Sequence, residues 1–163
     1  MSSNTSLIET EIFKIFVFWG TILALKLIVM VPLTAYYRFK NKVFSNPEDA
    51  VTLKGAKVAT NDSEIERVRR AHLNDLENIL IWYIVTFVWL TTNPSIWLAS
   101  LLIRTFVIAR ILHTLVYVVF AKQPHRAITF FVGYATTLYQ AVNILLFYII
   151  IIVNKSILKN YNT

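Results

Sequence analysis

Four long apolar segments constrain the fold of this 163-residue chain more than any other feature of its sequence. They cover approximately residues 12–37, 70–90, 96–120 and 127–153. A helix needs about 20 predominantly apolar residues to cross the hydrocarbon core of a bilayer, and each segment meets that length. We therefore predict an all-α integral membrane protein, a four-helix bundle formed by a single domain that covers residues 1–163.

The net charge of +7 is distributed unevenly between the two ends of these segments. The turn at 91–95 contains no Lys or Arg, whereas the turn between the third and fourth segments contributes Lys122 and Arg126. Basic residues concentrate in cytosolic loops, so we expect the first and third connections in the cytosol and both termini in the lumen. In a chain that is 56% hydrophobic, this pattern is typical of membrane topology, and we expect no nucleic-acid partner. The first connection and its borders carry Arg38, Lys40, Lys42, Lys54, Lys57, Arg67, Arg69 and Arg70.

The composition excludes several kinds of chemistry. The chain has no cysteine, which excludes disulfides, thiolate metal ligands and a cysteine nucleophile. Its three histidines, His72, His113 and His125, fall on separate segments, so we expect no metal site. Any thiol chemistry must therefore use a thiol that a ligand brings.

Two polar stripes interrupt the second and third segments. At about 100° per residue, the members of the first stripe fall within an arc of about 80° and those of the second within about 60°. An intramembrane charge costs about 2.5–3.5 kcal/mol, so these faces should meet a partner or a wet cavity rather than lipid. The stripes consist of Arg67, Arg70, Asn74 and Glu77 on the second segment and Arg110, His113 and Tyr117 on the third.

The charges of these stripes allow two interpretations. One is purely structural, with pairs such as Glu77 and Arg110 joining helices. The other is an anion site, because five arginines face chiefly two glutamates and arginine binds carboxylates bidentately. A small zwitterion with more than one carboxylate would fit that surplus, with Glu77 holding its ammonium group. The two glutamates are Glu66 and Glu77, and the five arginines are Arg38, Arg67, Arg70, Arg110 and Arg126.

Other polar residues have simpler interpretations. We expect Lys26 to form a structural bridge with Asp75, and Arg104 to extend its side chain toward the membrane surface. The stretch "SNPED" (residues 45–49) is typical of a capped helix start, with a proline in the first helical position. A catalytic role for Asp49 is the alternative at that position.

Four stretches carry a resemblance to one family of membrane proteins. They are "KVFSNPEDAV" at 42–51, "ERVRRAHLNDLENI" at 66–79, "ARILHTLVY" at 109–117 and "QPHRAITFFVGY" at 123–134. Together they resemble the MAPEG family, the membrane-associated proteins of eicosanoid and glutathione metabolism. The likeness extends over essentially the whole chain and is closest to the type-1 microsomal glutathione S-transferase branch.

The resemblance implies an assembly, a location and a reaction. Four-helix subunits would form a homotrimer in the endoplasmic reticulum membrane, with the mitochondrial outer membrane as a second location. Glutathione would be the co-substrate, bound between neighbouring subunits near the cytosolic face. It would be conjugated to hydrophobic electrophiles or used to reduce lipid hydroperoxides that arrive from the membrane lipid.

The resemblance also assigns roles to residues. Arg126 would lie nearest the glutathione sulfur and act as the catalytic residue. Independently of the resemblance, Lys26, Asp75 and Arg110 are expected from their positions on apolar helices to form a structural polar network. Arg69 and His72 lie off the main stripe, which fits a role in the site of an adjacent subunit. The implied glutathione-binding residues are Arg38, Arg69, Arg70, His72, Asn74, Glu77, His113 and Tyr117.

Departures from the family's prostaglandin E synthase branch bear on the reaction. That branch has an arginine, a serine and a tyrosine where this chain has Leu73, Ala127 and Phe130. The loss of two hydroxyl groups favours a conjugating enzyme over a dedicated glutathione-dependent isomerase. A non-catalytic lipid-binding scaffold would lack the arginine and glutamate set, and a transporter would favour helices broken by glycine.

Overall fold

The structure, a computed structural model, describes residues 10–120 and 123–161 of the chain, except for the side chain of Tyr161. Lys122, one of the residues in the predicted charge balance, lies outside the described residues. In chain order the elements are α1 (Glu11–Asn41), β1 (Val43–Phe44), α2 (Pro47–Ala50), β2 (Lys57–Val58), α3 (Ser63–Leu90), α4 (Ile96–Leu115), a π-helix (Val116–Phe120) and α5 (His125–Tyr161).

The predicted helical membrane architecture is confirmed for the described part of the chain. Four helical stretches there are long and apolar enough to cross a bilayer, with α4 and the π-helix forming one of them. Each contains one of the predicted apolar segments. The helix α3 begins at Ser63, well before the predicted start near residue 70, because its first two turns are polar and give no hydropathy signal.

Side-chain caps explain where the long helices begin. The Asp62 carboxylate accepts hydrogen bonds from the backbone N–H groups of Glu64 and Ile65, both at 3.0 Å. The Ser95 hydroxyl accepts from the backbone of Leu98 at 3.3 Å. These caps satisfy donors that an α-helix leaves free in its first turn.

The connection between α1 and α3 is short and ordered. Lys42 ends α1 in the left-handed conformation, with φ of 54°. The two strands then pair in parallel, with Val43 opposite Lys57. Between them, Pro47 is the first residue of α2, as the sequence predicts. The predicted side-chain cap is absent at Asn46, because its amide donates to the carboxylate of Asp49 instead.

The long helices alternate in direction, so the end of α1, the start of α3, the end of α4 and the start of α5 meet at one end of the bundle. We call this the basic end, because Arg38, Arg69, Arg70 and Arg126 lie there. Helix α1 packs against α3 and α4, and α5 packs against the same two helices on their other side. Two flanks of α3 therefore face different neighbours.

The larger of two core clusters lies away from the basic end, and aromatic rings pack against aliphatic side chains within it. The ring of Trp82 stacks on that of Phe106, with centroids 4.7 Å apart and planes at 3°. Two polar contacts that the sequence did not predict join α3 to α5 nearby. Thr86 donates to Gln140 at 3.0 Å, and the indole of Trp89 donates to Asn143 at 3.0 Å, polar contacts of the kind that hold membrane helices together.

Candidate functional site

A buried cluster of charges links three helices beside the basic end. Asp75 is completely buried, and its Oδ2 accepts from Lys26 Nζ. Its Oδ1 accepts from Nε of Arg110, at 3.2 Å, and from Nη2 of the same side chain. The hydroxyl of Thr114 donates to Oδ2 at 2.9 Å. The residues of the predicted polar network are therefore in direct contact, and Arg110 binds Asp75 rather than Glu77.

The first of two cavities at the basic end lies between α1 and α3. It has a volume of about 560 Å³ and an apolar floor that includes Leu73 and Leu76. This α1–α3 cavity contains four of the predicted glutathione-binding residues. They are Arg38, Arg69, Arg70 and His72.

Positive charge dominates the α1–α3 cavity. Its one carboxylate, on Glu66, binds Nη1 of Arg69 at 2.5 Å. Arg38 and Arg70 form no ion pair with the described residues, and Nε of Arg38 is buried without a hydrogen-bond partner there. Unpaired guanidinium groups beside an apolar wall favour an anion, most readily a carboxylate.

The second cavity lies between α3, α5 and the end of α4 with the π-helix that continues it, and we call it the α4–α5 cavity. Its volume is about 290 Å³. It contains the predicted catalytic residue and three of the predicted binding residues. Its lining consists of Asn74, His113, Tyr117, Gln123, Arg126, Ala127, Phe130 and Phe131.

Two contacts hold Arg126 in the α4–α5 cavity. Its guanidinium carbon lies 4.7 Å from the ring centroid of Tyr117, a cation–π contact. Its main-chain oxygen lies 3.2 Å from Nδ1 of His113. A carbonyl can only accept, so Nδ1 carries the proton of this bond, and Nε2 has no partner among the described residues. The cavity thus presents a cation and an aromatic surface, with the buried and unpaired Nε2 of a lining histidine beside them.

The predicted site residues therefore fall into two groups on the two flanks of α3. Glu77 is exposed and lines neither cavity, and it forms no ion pair with the described residues. Arg67, another member of the predicted stripe, also lines neither. Neither cavity alone holds the whole predicted set, so a ligand that contacts all of it needs two subunits or a movement of helices.

Sequence reasoning missed two residues at the α4–α5 cavity. Gln123 lines this cavity, and the hydroxyl of Thr129 lies 3.3 Å from Nδ1 of His113. No sequence pattern distinguishes either residue from its neighbours along the chain. The π-helix, which carries Tyr117, is likewise without a local signal in its sequence "VYVVF".

Two residues with open interpretations lie outside both cavities. The guanidinium carbon of Arg104 is 5.9 Å from the ring centroid of Trp19, so the side chain rests on an aromatic neighbour. The carboxylate of Asp49 accepts from the side-chain amide of Asn46 at 3.2 Å. Across residues 10–120 and 123–161, no three His, Asp or Glu side chains are grouped to hold a metal ion.

Comparisons with known proteins agree on one family. The profile described as "MAPEG family" matches residues 16–146. Human microsomal glutathione S-transferase 1 is 43% identical over 149 residues, which cover 89% of this chain and 96% of that protein. The mouse protein of the same name is 40% identical over the same shares. Human prostaglandin E synthase is 29% identical over 130 residues, 80% of this chain and 86% of that protein.

Proposed function

This chain belongs to the MAPEG family, and from that premise we propose that it is a membrane-bound glutathione S-transferase. It would activate glutathione as a thiolate and conjugate it to hydrophobic electrophiles. The observation that carries the proposal is the pair of cavities at the basic end, one with unpaired guanidinium groups and the other with Arg126 above an aromatic wall. Glutathione has two carboxylates, one ammonium group and one thiol, and so matches both.

The division of the site supports a site shared between neighbouring subunits, and with the family resemblance we propose a homotrimer as the active form. The α1–α3 cavity of one subunit would bind the carboxylates, and the α4–α5 cavity of the next would bind the sulfur. Glu77, exposed on α3 between the two, would hold the ammonium group. Such a site is complete only between subunits, which accounts for the separation of Arg38 from Arg126 within one chain.

The chemistry follows from the charge on Arg126. A free thiol with a pKa of about 8.5 is only a few per cent ionised at neutral pH. Lowering that pKa by about two units requires roughly 2.7 kcal/mol of preferential thiolate stabilisation. One hydrogen bond from a guanidinium group contributes about 1.5–3 kcal/mol, and Arg126 is half-buried, so the magnitudes agree.

The thiolate would then attack an electrophilic carbon. With 1-chloro-2,4-dinitrobenzene, the new bond joins sulfur to the ring carbon and chloride leaves. With a lipid hydroperoxide, sulfur attacks the peroxide oxygen and gives an alcohol and glutathione sulfenic acid, which a second glutathione converts to the disulfide and water. Phe130 and Phe131 give the cavity an apolar wall, which suits substrates that enter from the bilayer.

Two positions in the α4–α5 cavity favour conjugation over isomerisation. Ala127 and Phe130 both line this cavity, and neither has a hydroxyl group. The prostaglandin E synthase branch, by the resemblance described above, has hydroxyl groups at both positions. A prostaglandin-type isomerase is therefore the second candidate, and direct turnover of a prostaglandin endoperoxide would distinguish it.

The positive-inside distribution supports a cytosolic position for the basic end. We propose the endoplasmic reticulum membrane as the location, with the mitochondrial outer membrane as a further one. The similarity to proteins named microsomal supports the first assignment.

Stopped-flow absorbance near 240 nm tests the proposal directly. Purified protein in detergent is mixed with glutathione, and thiolate formation is followed before conjugation of 1-chloro-2,4-dinitrobenzene is measured. We expect a thiolate signal in wild type, its loss in Arg126→Ala, and a normal signal in the matched control Arg104→Ala, which removes an exposed arginine outside both cavities. A folded wild-type protein with neither signal nor conjugation would be a lipid-binding scaffold instead.

A further inference from the structure

The buried charge cluster is joined to the α4–α5 cavity by one hydrogen bond. Nη2 of Arg110, which already binds Asp75, also donates to Oδ1 of Asn74 at 2.9 Å. Arg110 is 1% exposed and Asp75 is completely buried, whereas Asn74 is half-buried and lines the cavity. Asn74 is thus the residue through which the cluster reaches the site.

This bond determines which end of the Asn74 amide faces the cavity. A guanidinium group has five donors and no acceptor, so it can only face the amide oxygen. The NH₂ group of Asn74 must then point away from Arg110. Within the described part of the chain that NH₂ group has no hydrogen-bond partner, although the side chain lines the α4–α5 cavity.

The rest of the cluster keeps Arg110 in place. Both oxygens of Asp75 are occupied, Oδ1 by Arg110 and Oδ2 by Lys26 and Thr114. A buried carboxylate satisfied in this way holds the guanidinium plane in one orientation, since moving it would leave a buried charge without a partner. Three helices therefore contribute to the orientation of one amide group.

We propose that Arg110 is a positioning residue for ligand binding. It would fix the Asn74 amide so that its two N–H donors are available to a peptide carbonyl oxygen of glutathione, close to the sulfur in this cavity. Without Arg110, the amide can rotate and present its oxygen, which would repel that ligand atom. This inference rests on the proposed function, because it takes glutathione as the occupant of the cavity.

The test measures glutathione affinity by equilibrium dialysis with radiolabelled glutathione, together with the melting temperature of each variant. Asn74→Asp keeps an acceptor for Arg110 but replaces the NH₂ donor with an oxygen. We expect its affinity to fall at least about ten-fold with little change in melting temperature, since a donated hydrogen bond to glutathione becomes a repulsion between a carboxylate and an acceptor oxygen. Unchanged affinity in this variant would overturn the proposal.

A double-mutant cycle separates positioning from a general structural effect. Arg110→Lys keeps the charge near Asp75 but loses the planar group that reaches Asn74, and we expect affinity to fall about five-fold, the effect of one hydrogen bond. In the Asn74→Ala background, the same substitution should have no further effect on affinity. An equal loss in both backgrounds would mean that Arg110 acts through the fold and would contradict the proposal. Should Arg110→Lys not fold, Asn74→Asp decides.

Two controls complete the experiment. Arg104→Ala removes an exposed arginine that lies outside both cavities and leaves the bond between Arg110 and Asn74, so affinity should stay within about two-fold of wild type. Failure of wild type itself to bind glutathione would refute the proposed function. That result is distinguishable from a wild type that binds normally and variants that do not respond.

Discussion

Nδ1 of His113 donates to the main-chain oxygen of Arg126 at 3.2 Å, so a hydrogen bond fastens the end of α4 to the first turn of α5. His113 is 2% exposed, and its ring also contacts that of Tyr117, with centroids 5.6 Å apart. The position of the Arg126 backbone therefore depends on a side chain of another helix. Nε2 of the same ring is buried without a partner among the described residues, and we expect it to bind the ligand.

Two substitutions at His113 should separate these two functions. The amide of asparagine reaches the position of Nδ1, whereas that of glutamine reaches the position of Nε2. We expect His113→Asn to keep kcat and raise the KM for glutathione, and His113→Gln to lower kcat about five-fold, the effect of one lost hydrogen bond. Steady-state conjugation at varied glutathione concentration measures both parameters. Identical behaviour of the two variants would contradict the assignment.

Co-expression of two inactive variants should restore activity if the site is shared between subunits. Arg38→Ala damages the α1–α3 cavity and Arg126→Ala the α4–α5 cavity. In randomly mixed oligomers, about a quarter of the composite sites should contain two intact halves. Conjugation activity per milligram of co-purified protein is the measurement.

The control for this experiment pairs two defects in one cavity. His113→Ala co-expressed with Arg126→Ala should give no more than the mean activity of the two variants alone, because every site then lacks one of two residues from the same half. Recovery in neither mixture would place the whole site within one subunit and would refute the division proposed here.

The stacked pair in the core predicts a large loss of stability. Trp82→Ala removes a completely buried indole that lies against Phe106. The cavity left behind should cost about 3 kcal/mol, since surrounding helices relax only partly. Trp97→Ala, at a position that is 73% exposed, should change the free energy of unfolding by less than about 0.5 kcal/mol. Thermal unfolding in detergent compares the two, and equal shifts would contradict the prediction.

Asp62 predicts a pH-dependent contribution to stability. Hydrogen bonds from the backbone of Ile65, and then from the side chain of Asn41, hold the pKa of this carboxyl below its usual value. A lowered folded-state pKa means that the stabilisation is complete above the unfolded pKa of about 3.9 and is lost as the pH falls through the folded value. Asp62→Asn keeps a capping oxygen but does not titrate.

The measurement is the difference in melting temperature between wild type and Asp62→Asn from pH 7 to pH 3. We expect wild type to be the more stable protein at neutral pH, and the difference to shrink at the acid end. Because the other carboxylates titrate in both proteins, their effect cancels in the difference between the two melting temperatures. A difference that stays constant over this range would show that the charge of Asp62 does not contribute.

The sequence predicts well where the helices lie and at which end of the bundle the polar residues gather, because both depend on local patterns. Hydropathy places four long segments, and the alternation of helix direction brings the ends that carry Arg38, His113 and Arg126 to one end of the bundle. The contact between Lys26 and Asp75 also follows from two isolated charges on apolar helices.

The division of the site could not be predicted in this way. A helical wheel places Arg70 and Asn74 in one arc, yet they line different cavities because α1 and α5 cover different flanks of α3. The sequence also could not predict which carboxylate binds Arg110. Asp75 and Glu77 lie on opposite faces of α3, and only the packing of α4 decides between them. The sequence of a single helix does not specify how that helix packs against its neighbours.

The π-helix at Val116–Phe120 has a mechanical consequence for the site. Its wider turn advances each residue by a smaller rotation than an α-helix does, so the last turn of the third span is out of phase with the turns before it. Val118 can then remain in the core beside Met30 and Val68 while Tyr117 supports Arg126. A one-residue deletion in this turn would rotate Tyr117 about the helix axis and away from the cavity. The residues upstream would keep their positions in the helix.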